Sequence, residues 1–297
     1  MTAAAWIQLA VIAAAVGAVA PLLGRYLAAV HSPGPAPGDR VFLPVERLVY
    51  RVIRVDPSNS QRWQTYALSV VAFGTVSVLW LFLILRFQSV LPFNPTNARA
   101  VEPLLAFNVA TSFVTGTNWQ SYAGETTMSH LSQMAGLVVA QFTAAAVGMS
   151  VALAVVRGSC TDATRMAVPT PHAVLGNFWV DLTRNIVRIL IPIAAVATLV
   201  MVSQGTVQNL EGNSTVASIT GARQMIPGGP VATQEVLKTL GTNGGGFYNV
   251  GSAHPFANPN GLTNAFELLL VLAIPLPSRS CTGASSAAAV RATRSWR

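Results

Sequence analysis

The chain alternates long uncharged apolar runs with short polar or basic segments. Uncharged runs occupy Met1 to Gly24, Tyr66 to Leu85, Thr126 to Val156 and Ile189 to Leu210. Each reaches the roughly 20 residues that a membrane-spanning helix needs. A fifth run, "LLLVLAIPLP" after Glu267, is stopped early by Pro275, Pro277 and Arg279. Between the spans lie two shorter helical patterns. "EPLLAFNVATSFVT", Glu102 to Thr115, opens with an acid and a proline, a usual helix start, and is too short to cross a bilayer. "PVATQEVLKTLGTNGGGFYN", from Pro230, reads as a second short helix closing at Gly241.

Composition agrees with a membrane protein: 52% of residues are hydrophobic and 9% charged, with a mean hydropathy of +0.51. The charges place the loops. Arg40, Arg47, Arg51, Arg54 and Arg62 lie between the first two spans, and Arg157, Arg165, Arg184 and Arg188 lie between the third and fourth. The other segments hold Arg99 alone, or Arg223 and Lys238. By the positive-inside rule the two arginine-rich loops are cytoplasmic and the N-terminus is outside. The first run lacks a basic stretch ahead of it, so it reads as a retained helix rather than a signal peptide. The net charge of +8 comes from these anchors and the C-terminal tail. They lack interleaved stacking aromatics, which argues against nucleic acid.

Cys160 and Cys281 offer no probable disulfide. His31, His130, His172 and His254 have no metal-ligand spacing and read as structural residues. Asp162, Asp181 and their neighbouring arginines read as solvated cytoplasmic faces, Glu267 as interfacial, and Glu235 with Lys238 as a structural ion pair at i, i+3.

Each short helix is followed by a Gly-Thr-Asn loop, which suggests a re-entrant element, because non-helical backbone at membrane depth survives only where protein buries it or it lines a cavity. Placing Gly116, Thr117 and Asn118 on Gly241, Thr242 and Asn243 brings Tyr122 onto Phe247, so the arrangement reads as an internal repeat. Such loops suit a dehydrated monovalent cation. Glycines let carbonyls turn inward, threonines add hydroxyl oxygens, and the short helices aim the negative ends of their dipoles at the membrane centre. No carboxylate falls within Thr115 to Gln120 or Gly241 to Gly246, which disfavours a divalent-metal cage. Plain Gly-rich extracellular turns are the bland alternative. A phosphate loop is disfavoured by the missing Gly-Lys-Ser/Thr ending, and an intramembrane enzyme by the lack of paired acids or a nucleophile with its base.

"TGTNWQSYAGETTMSHLSQMAGL" (Thr115 to Leu137) and "KTLGTNGGGFYNVGSAHPFANPNGLTN" (Lys238 to Asn264) resemble the first and second filter regions of the KdpA family, the potassium-binding subunits of potassium-transporting ATPases. The resemblance covers about Ala3 to Ile274. It implies an all-α polytopic membrane protein of the superfamily of potassium transporters, with two of four helix, pore-helix, helix repeats present. The implied divisions are an extra first transmembrane helix at 1–30, a cytoplasmic loop at 31–62, a first repeat at 63–157, a cytoplasmic loop at 158–188, a second repeat at 189–276 with its last helix incomplete, and an aberrant basic tail at 277–297.

By the same resemblance, potassium is the transported ion and the filter residues are Gly116, Thr117, Asn118, Gln120, Thr242, Asn243 and Gly244. The expected roles are carbonyl ligands at Thr117 and Thr242, loop braces at Asn118, Asn243 and Gln120, and close approach at Gly244. The expected family pattern Thr-Asn-Thr-Asn-Trp-Gln is broken at Gly116. The implied partners are a P-type ATPase catalytic subunit, small accessory membrane subunits and lipid, in a bacterial inner membrane. No ATP site or aspartyl-phosphate motif is on this chain, so any ATP hydrolysis falls to a partner. The alternatives are a stand-alone dimeric two-repeat cation channel and a non-functional truncated or frameshifted product. The abrupt change to "PSRSCTGASSAAAVRATRSWR" after Leu276 favours a frame error or truncation.

Overall fold

A computed structural model describes residues 2–32, 34–165 and 175–276. The basic tail 277–297, His172 and residues 166–174 of the second arginine-rich segment lie outside them. The described chain is mostly helical, and four of its helices are long and apolar enough to cross a membrane: Ala5–His31, Trp63–Phe87, Ser132–Gly158 and Phe178–Ser203. The protein is therefore a multi-pass membrane protein.

The first long helix, α1 (Ala3–His31), continues past Gly24, although Arg25 follows. Arg25 is exposed, while Leu27 and Val30 are buried and Tyr26 donates to the Arg188 carbonyl at 2.8 Å. The last two turns are thus held by packing and hydrogen bonds. Helix α2 (Asp39–Ile53) lies within the segment expected as a cytoplasmic loop, and α3 (Trp63–Phe87) follows. Next come α4 (Pro103–Val114), the single turn α5 (Gly124–Thr127), and a π-helical turn, Ser132–Leu137, that feeds α6 (Val138–Arg165). The fourth span is continuous through α7 (Phe178–Arg184), a π-helical turn at Asn185–Leu190, and α8 (Ile191–Ser203). It starts well before Ile189. Two short strands, β1 (Ser214–Ala217) and β2 (Arg223–Ile226), pair antiparallel with Ser214 opposite Ile226. This exposed hairpin is a departure from an all-helical chain. Its sequence mixes polar and apolar residues without sustained alternation and turns at Gly221 with φ +81, so it carries no strand signal strong enough to compete. Helices α9 (Val231–Leu240) and α10 (Gly261–Ala273) complete the described chain.

The chain forms two compact units. The first comprises the described residues within Met1–Phe73, Ala146–Pro192 and Leu268–Arg297. Its interior is polar where the sequence suggested solvated faces. Asp181 is buried and accepts two hydrogen bonds from Arg157, at 2.7 and 3.0 Å, and one from Tyr66 at 3.2 Å. Arg188, also buried, pairs bidentately with Glu46 and reaches Asp39 at 2.6 Å. Charged groups enter a helix that is otherwise apolar because each meets an opposite charge, and removing one partner would leave the other uncompensated. His31 bonds Asn185 at 2.9 Å, and Asn185 donates to Ser150 at 3.0 Å.

The second unit comprises Gly74–Ala145 and Ile193–Glu267. Helix α4 starts on Glu102, whose carboxylate accepts from the Leu105 amide at 2.9 Å, with Pro103 in the first turn. Ala106, Val109, Ala110 and Phe113, at helical spacing, bury one face against Leu81, Leu85, Leu137 and Ala140. Nearly every residue of α9 is buried.

Candidate functional site

Helices α4 and α9 end in the same way. After α4, the Gly116 amide donates to the Phe113 carbonyl at 3.3 Å and the Thr117 amide to the Ser112 carbonyl at 3.0 Å. After α9, the Thr242 amide donates to Thr239 at 3.1 Å and the Asn243 amide to Lys238 at 2.9 Å. Each pair of bonds is a Schellman motif, which turns the chain off a helix through one left-handed residue. That residue is Gly116 in the first loop, with φ +76, and Thr242 in the second, with φ +54. The hydrogen bonds therefore equate Gly116 with Thr242, one residue along from the Gly-Thr-Asn match made on sequence.

Beyond the two ends the loops lie against each other. A Cβ built on Gly244 would sit 3.7 Å from the Asn118 carbonyl oxygen and 3.8 Å from that of Thr117. One built on Gly116 would sit 3.9 Å from Asn243 Oδ1. Gln120 Nε2 donates to the Gly246 carbonyl at 2.9 Å and to the Tyr122 hydroxyl at 3.2 Å. The structure so brings the sequence-predicted residues of the two loops together. Among the described residues no hydrogen bond is donated to the carbonyls of Thr117, Asn118, Thr242 or Asn243. Asn118 is buried, Asn243 half-buried, and Thr117 and Thr242 exposed, so these oxygens remain available to a ligand.

Asn243 Nδ2 donates to the Gln141 carbonyl at 2.8 Å, so it ties its loop to α6. Asn118, expected to brace the first loop, does not: its side chain is buried, and neither amide atom has a hydrogen-bond partner among the described residues. The role passes to Ser112, whose hydroxyl accepts from the Trp119 amide at 2.7 Å. Two residues escaped the sequence reading. Ser112 is one, and Gln141, whose Nε2 donates to the Gly244 carbonyl at 2.9 Å, is the other. The signal for Gln141 was a primary amide inside an uncharged span, where a polar side chain needs a partner.

The second loop has an ionic foundation. Lys238 Nζ lies 2.6 Å from Glu235 Oε1 and donates to Ser252 Oγ at 2.8 Å, and Ser252 also bonds Glu235. Lys238 and Glu235 are both buried, which carries the expected i, i+3 pair into the protein interior. Glu267, expected at an interface, is buried too, with Oε1 unpartnered among the described residues. Further along, His254 stacks on Tyr248 at 3.7 Å between ring centroids and accepts the Phe256 amide on Nδ1 at 3.2 Å. Burial lowers its pKa, outweighing the pull of Glu125. Burial pushes the Tyr248 hydroxyl up to about 12. No group of His, Cys, Asp and Glu among the described residues could hold a metal ion.

The family model described as "Potassium-transporting ATPase A subunit" matches residues 10–293, past Leu276, beyond the point where the resemblance was expected to end. Among curated proteins, the potassium-transporting ATPase potassium-binding subunit of Mycobacterium bovis is 51% identical over 276 residues, which is 93% of this chain and 47% of that protein. Proteins of the same name from Frankia alni and Rhodospirillum centenum are 49% and 44% identical, over 78% and 92% of this chain and 44% and 46% of theirs. The chain thus spans about half the length of the curated relatives it matches. With the family model matching most of its length, and relatives 44–51% identical to it, the chain belongs to the KdpA family.

Proposed function

We propose that this chain binds and selects potassium for an ATP-driven uptake complex, with the ion seated against the two Schellman-ended loops. The observation that carries this reading is the set of unclaimed carbonyl oxygens at Thr117, Asn118, Thr242 and Asn243, on two loops that meet where Gly244 approaches the Thr117 and Asn118 oxygens. Carbonyl oxygens suit a potassium ion because several of them replace its hydration shell without adding charge. The C-terminal ends of α4 and α9 open into these loops, so their dipoles add negative potential where a cation would sit. In this reading α4 and α9 are re-entrant pore helices of two repeats, and Gly116, Thr117, Asn118, Gln120, Thr242, Asn243 and Gly244 form two arcs of a filter. Gln120, Asn243 and Gln141 hold the arcs in register through the hydrogen bonds described above, and the carbonyls do the binding.

The relatives are named as potassium-binding subunits of a potassium-transporting ATPase, which supports an assembly of several subunits. We assign ATP hydrolysis to a P-type partner, with small accessory subunits, in a bacterial inner membrane with the N-terminus outside. The arginine-rich segments on the opposite side support that orientation.

The test is cation-dependent thermal unfolding of the purified protein, alone and co-expressed with the ATPase partner. A ligand at a hundred times its Kd stabilises the folded state by about 2.7 kcal/mol. Potassium should raise the unfolding temperature where sodium does not, and Gln141→Leu should reduce that rise by unpinning Gly244. Equal response to both ions, or none, in both preparations would sink the proposal.

A further inference from the structure

Helix α2 presents three faces, and the arrangement of two of them points to a ligand. Asp39, Glu46 and Tyr50 form the inward face, where Glu46 and Tyr50 are buried and the two carboxylates hold Arg188. Val41, Val45, Leu48 and Val52 recur at helical spacing along a second face and are 68%, 46%, 58% and 72% exposed. Arg40, Arg47 and Arg51 line the third, and Arg54 follows at the left-handed C-cap, all four exposed. Arg157 and Arg188 are engaged by Asp181, Asp39 and Glu46, whereas none of these four makes an ion pair among the described residues. An apolar stripe beside a cationic stripe, on a helix with little overall hydrophobicity, is the pattern of a helix lying in a membrane interface.

Its attachment fixes the depth. The fourth span changes character at Arg188: Asp181, Arg184 and Arg188 itself lie on the charged side, and the chain from Ile189 to Ser203 is uncharged. The Arg188 guanidinium also lies over the Phe42 ring at 5.8 Å. Helix α2 is therefore tied to the polypeptide at the boundary between charged and hydrocarbon-compatible sequence.

We propose that α2 is an anionic-lipid site: its valine and leucine stripe enters the acyl boundary, and Arg40, Arg47, Arg51 and Arg54 bind acidic phospholipid headgroups. Charge complementarity selects the occupant. Four unpaired guanidiniums beside an apolar stripe match a phosphate headgroup above acyl chains, whereas an apolar protein partner would leave the arginine stripe unused. Basic residues at such a surface each add about 1 kcal/mol of attraction to anionic lipid, which corresponds to roughly a fivefold preference per residue.

The experiment uses the full chain in nanodiscs of phosphatidylcholine, or of equal parts phosphatidylcholine and phosphatidylglycerol. One readout is the phosphatidylglycerol to phosphatidylcholine ratio among lipids retained on gentle detergent extraction. The ratio should exceed that of the bulk lipid and fall about fivefold for each arginine changed to glutamine until it reaches the bulk value. It should survive Arg→Lys at all four positions, and decline with added salt in the wild-type chain. The salt series keeps the test open if the glutamine variants fold poorly. The second readout is a nitroxide on Leu48→Cys, with Cys160 and Cys281 changed to serine. It should meet dissolved oxygen readily and a water-soluble nickel chelate rarely. Access by the chelate would overturn the membrane placement. Shielding from both reagents would assign the stripe to a protein partner or a second copy. A retained-lipid ratio indifferent to both the glutamine changes and salt would overturn the arginine site.

Discussion

The two loops leave their helices by the same hydrogen bonds, yet they are held in place by opposite means. In each, the side chain on the residue whose carbonyl closes the Schellman turn also pins the chain that follows. In α4 that residue is Ser112, which catches the Trp119 amide within the same loop. In α9 it is Lys238, which catches Ser252 and is itself neutralised by Glu235. The first loop is a local, uncharged construction, and the second depends on a buried ion pair and a more distant stretch of chain. The contrast extends to the turn itself: glycine takes the left-handed position in the first loop, while a β-branched threonine is forced into it in the second. A strained residue persists where its surroundings over-determine it, and α9, buried nearly throughout, supplies that rigidity.

The contrast can be broken most severely at the ion pair. Lys238→Met strands Glu235, a buried carboxylate, and removal of one member of a buried pair costs about 3–5 kcal/mol. Thermal or denaturant unfolding in detergent should register that loss. Lys238→Met combined with Glu235→Leu should recover most of it. Ser112→Ala in the first loop, which removes a single uncharged hydrogen bond, should cost only about 1–3 kcal/mol. If the Lys238 and Ser112 variants lose equal stability, the two loops are not founded differently.

A subtler comparison exchanges the left-handed residues. Gly116→Ala places a Cβ at φ +76, a conformation that costs an L-residue roughly 1–2 kcal/mol. Thr242→Gly removes the same strain but adds glycine's entropy in the unfolded chain, roughly 0.5–1 kcal/mol, so the net gain is about 0.5–1 kcal/mol. The two changes should therefore shift the unfolding midpoint in opposite directions. Gly116→Asn should cost less than Gly116→Ala, because asparagine adopts the left-handed region more readily than alanine and 3.9 Å of clearance surrounds the added carbon. This accounts for the break in the expected Thr-Asn-Thr-Asn-Trp-Gln pattern: glycine and asparagine are the two residues most often found at that position of a helix end.

Sequence made the spans and both loops legible because each is written in a local alphabet, a long uncharged run or a Gly-Thr-Asn step after a short helix. What it hid depends on partners distant along the chain. The start of the fourth span was obscured by Asp181 and Arg188, whose charges look solvent-bound until Arg157, Asp39 and Glu46 are placed beside them. Helix α2 was read as loop because its apolar, basic and inward-facing residues alternate in sequence and separate only when wound onto a helix. The equivalence of the loops was read one residue out, because Gly-Thr-Asn letters match at one offset and the hydrogen bonds at the next. Gln141 and Ser112 carried only the weak signal of a polar residue within an otherwise apolar run.

The smallest expected effect concerns the outer reach of the second loop, which has a histidine stack that the first lacks. His254 stands against Tyr248 and receives the Phe256 amide on Nδ1, so the fold holds that nitrogen unprotonated. Its pKa is lowered in the folded chain, with burial the main cause. The neutral form is therefore favoured by folding, and the unfolded chain takes up its proton first as pH falls. The contribution of His254 is present above the unfolded value near 6.5 and is lost progressively below it, through the lower folded value. Since the ring is only partly buried, solvent screens much of this, and the change should be smaller than either helix-end effect. The clean measurement is the difference in unfolding temperature between wild type and His254→Gln as a function of pH, which cancels the titration of the carboxylates. That difference should shrink from neutral pH toward pH 5. A difference that is flat with pH would mean that the stack survives protonation, and that the second loop depends on Lys238 and Glu235 without help from its outer edge.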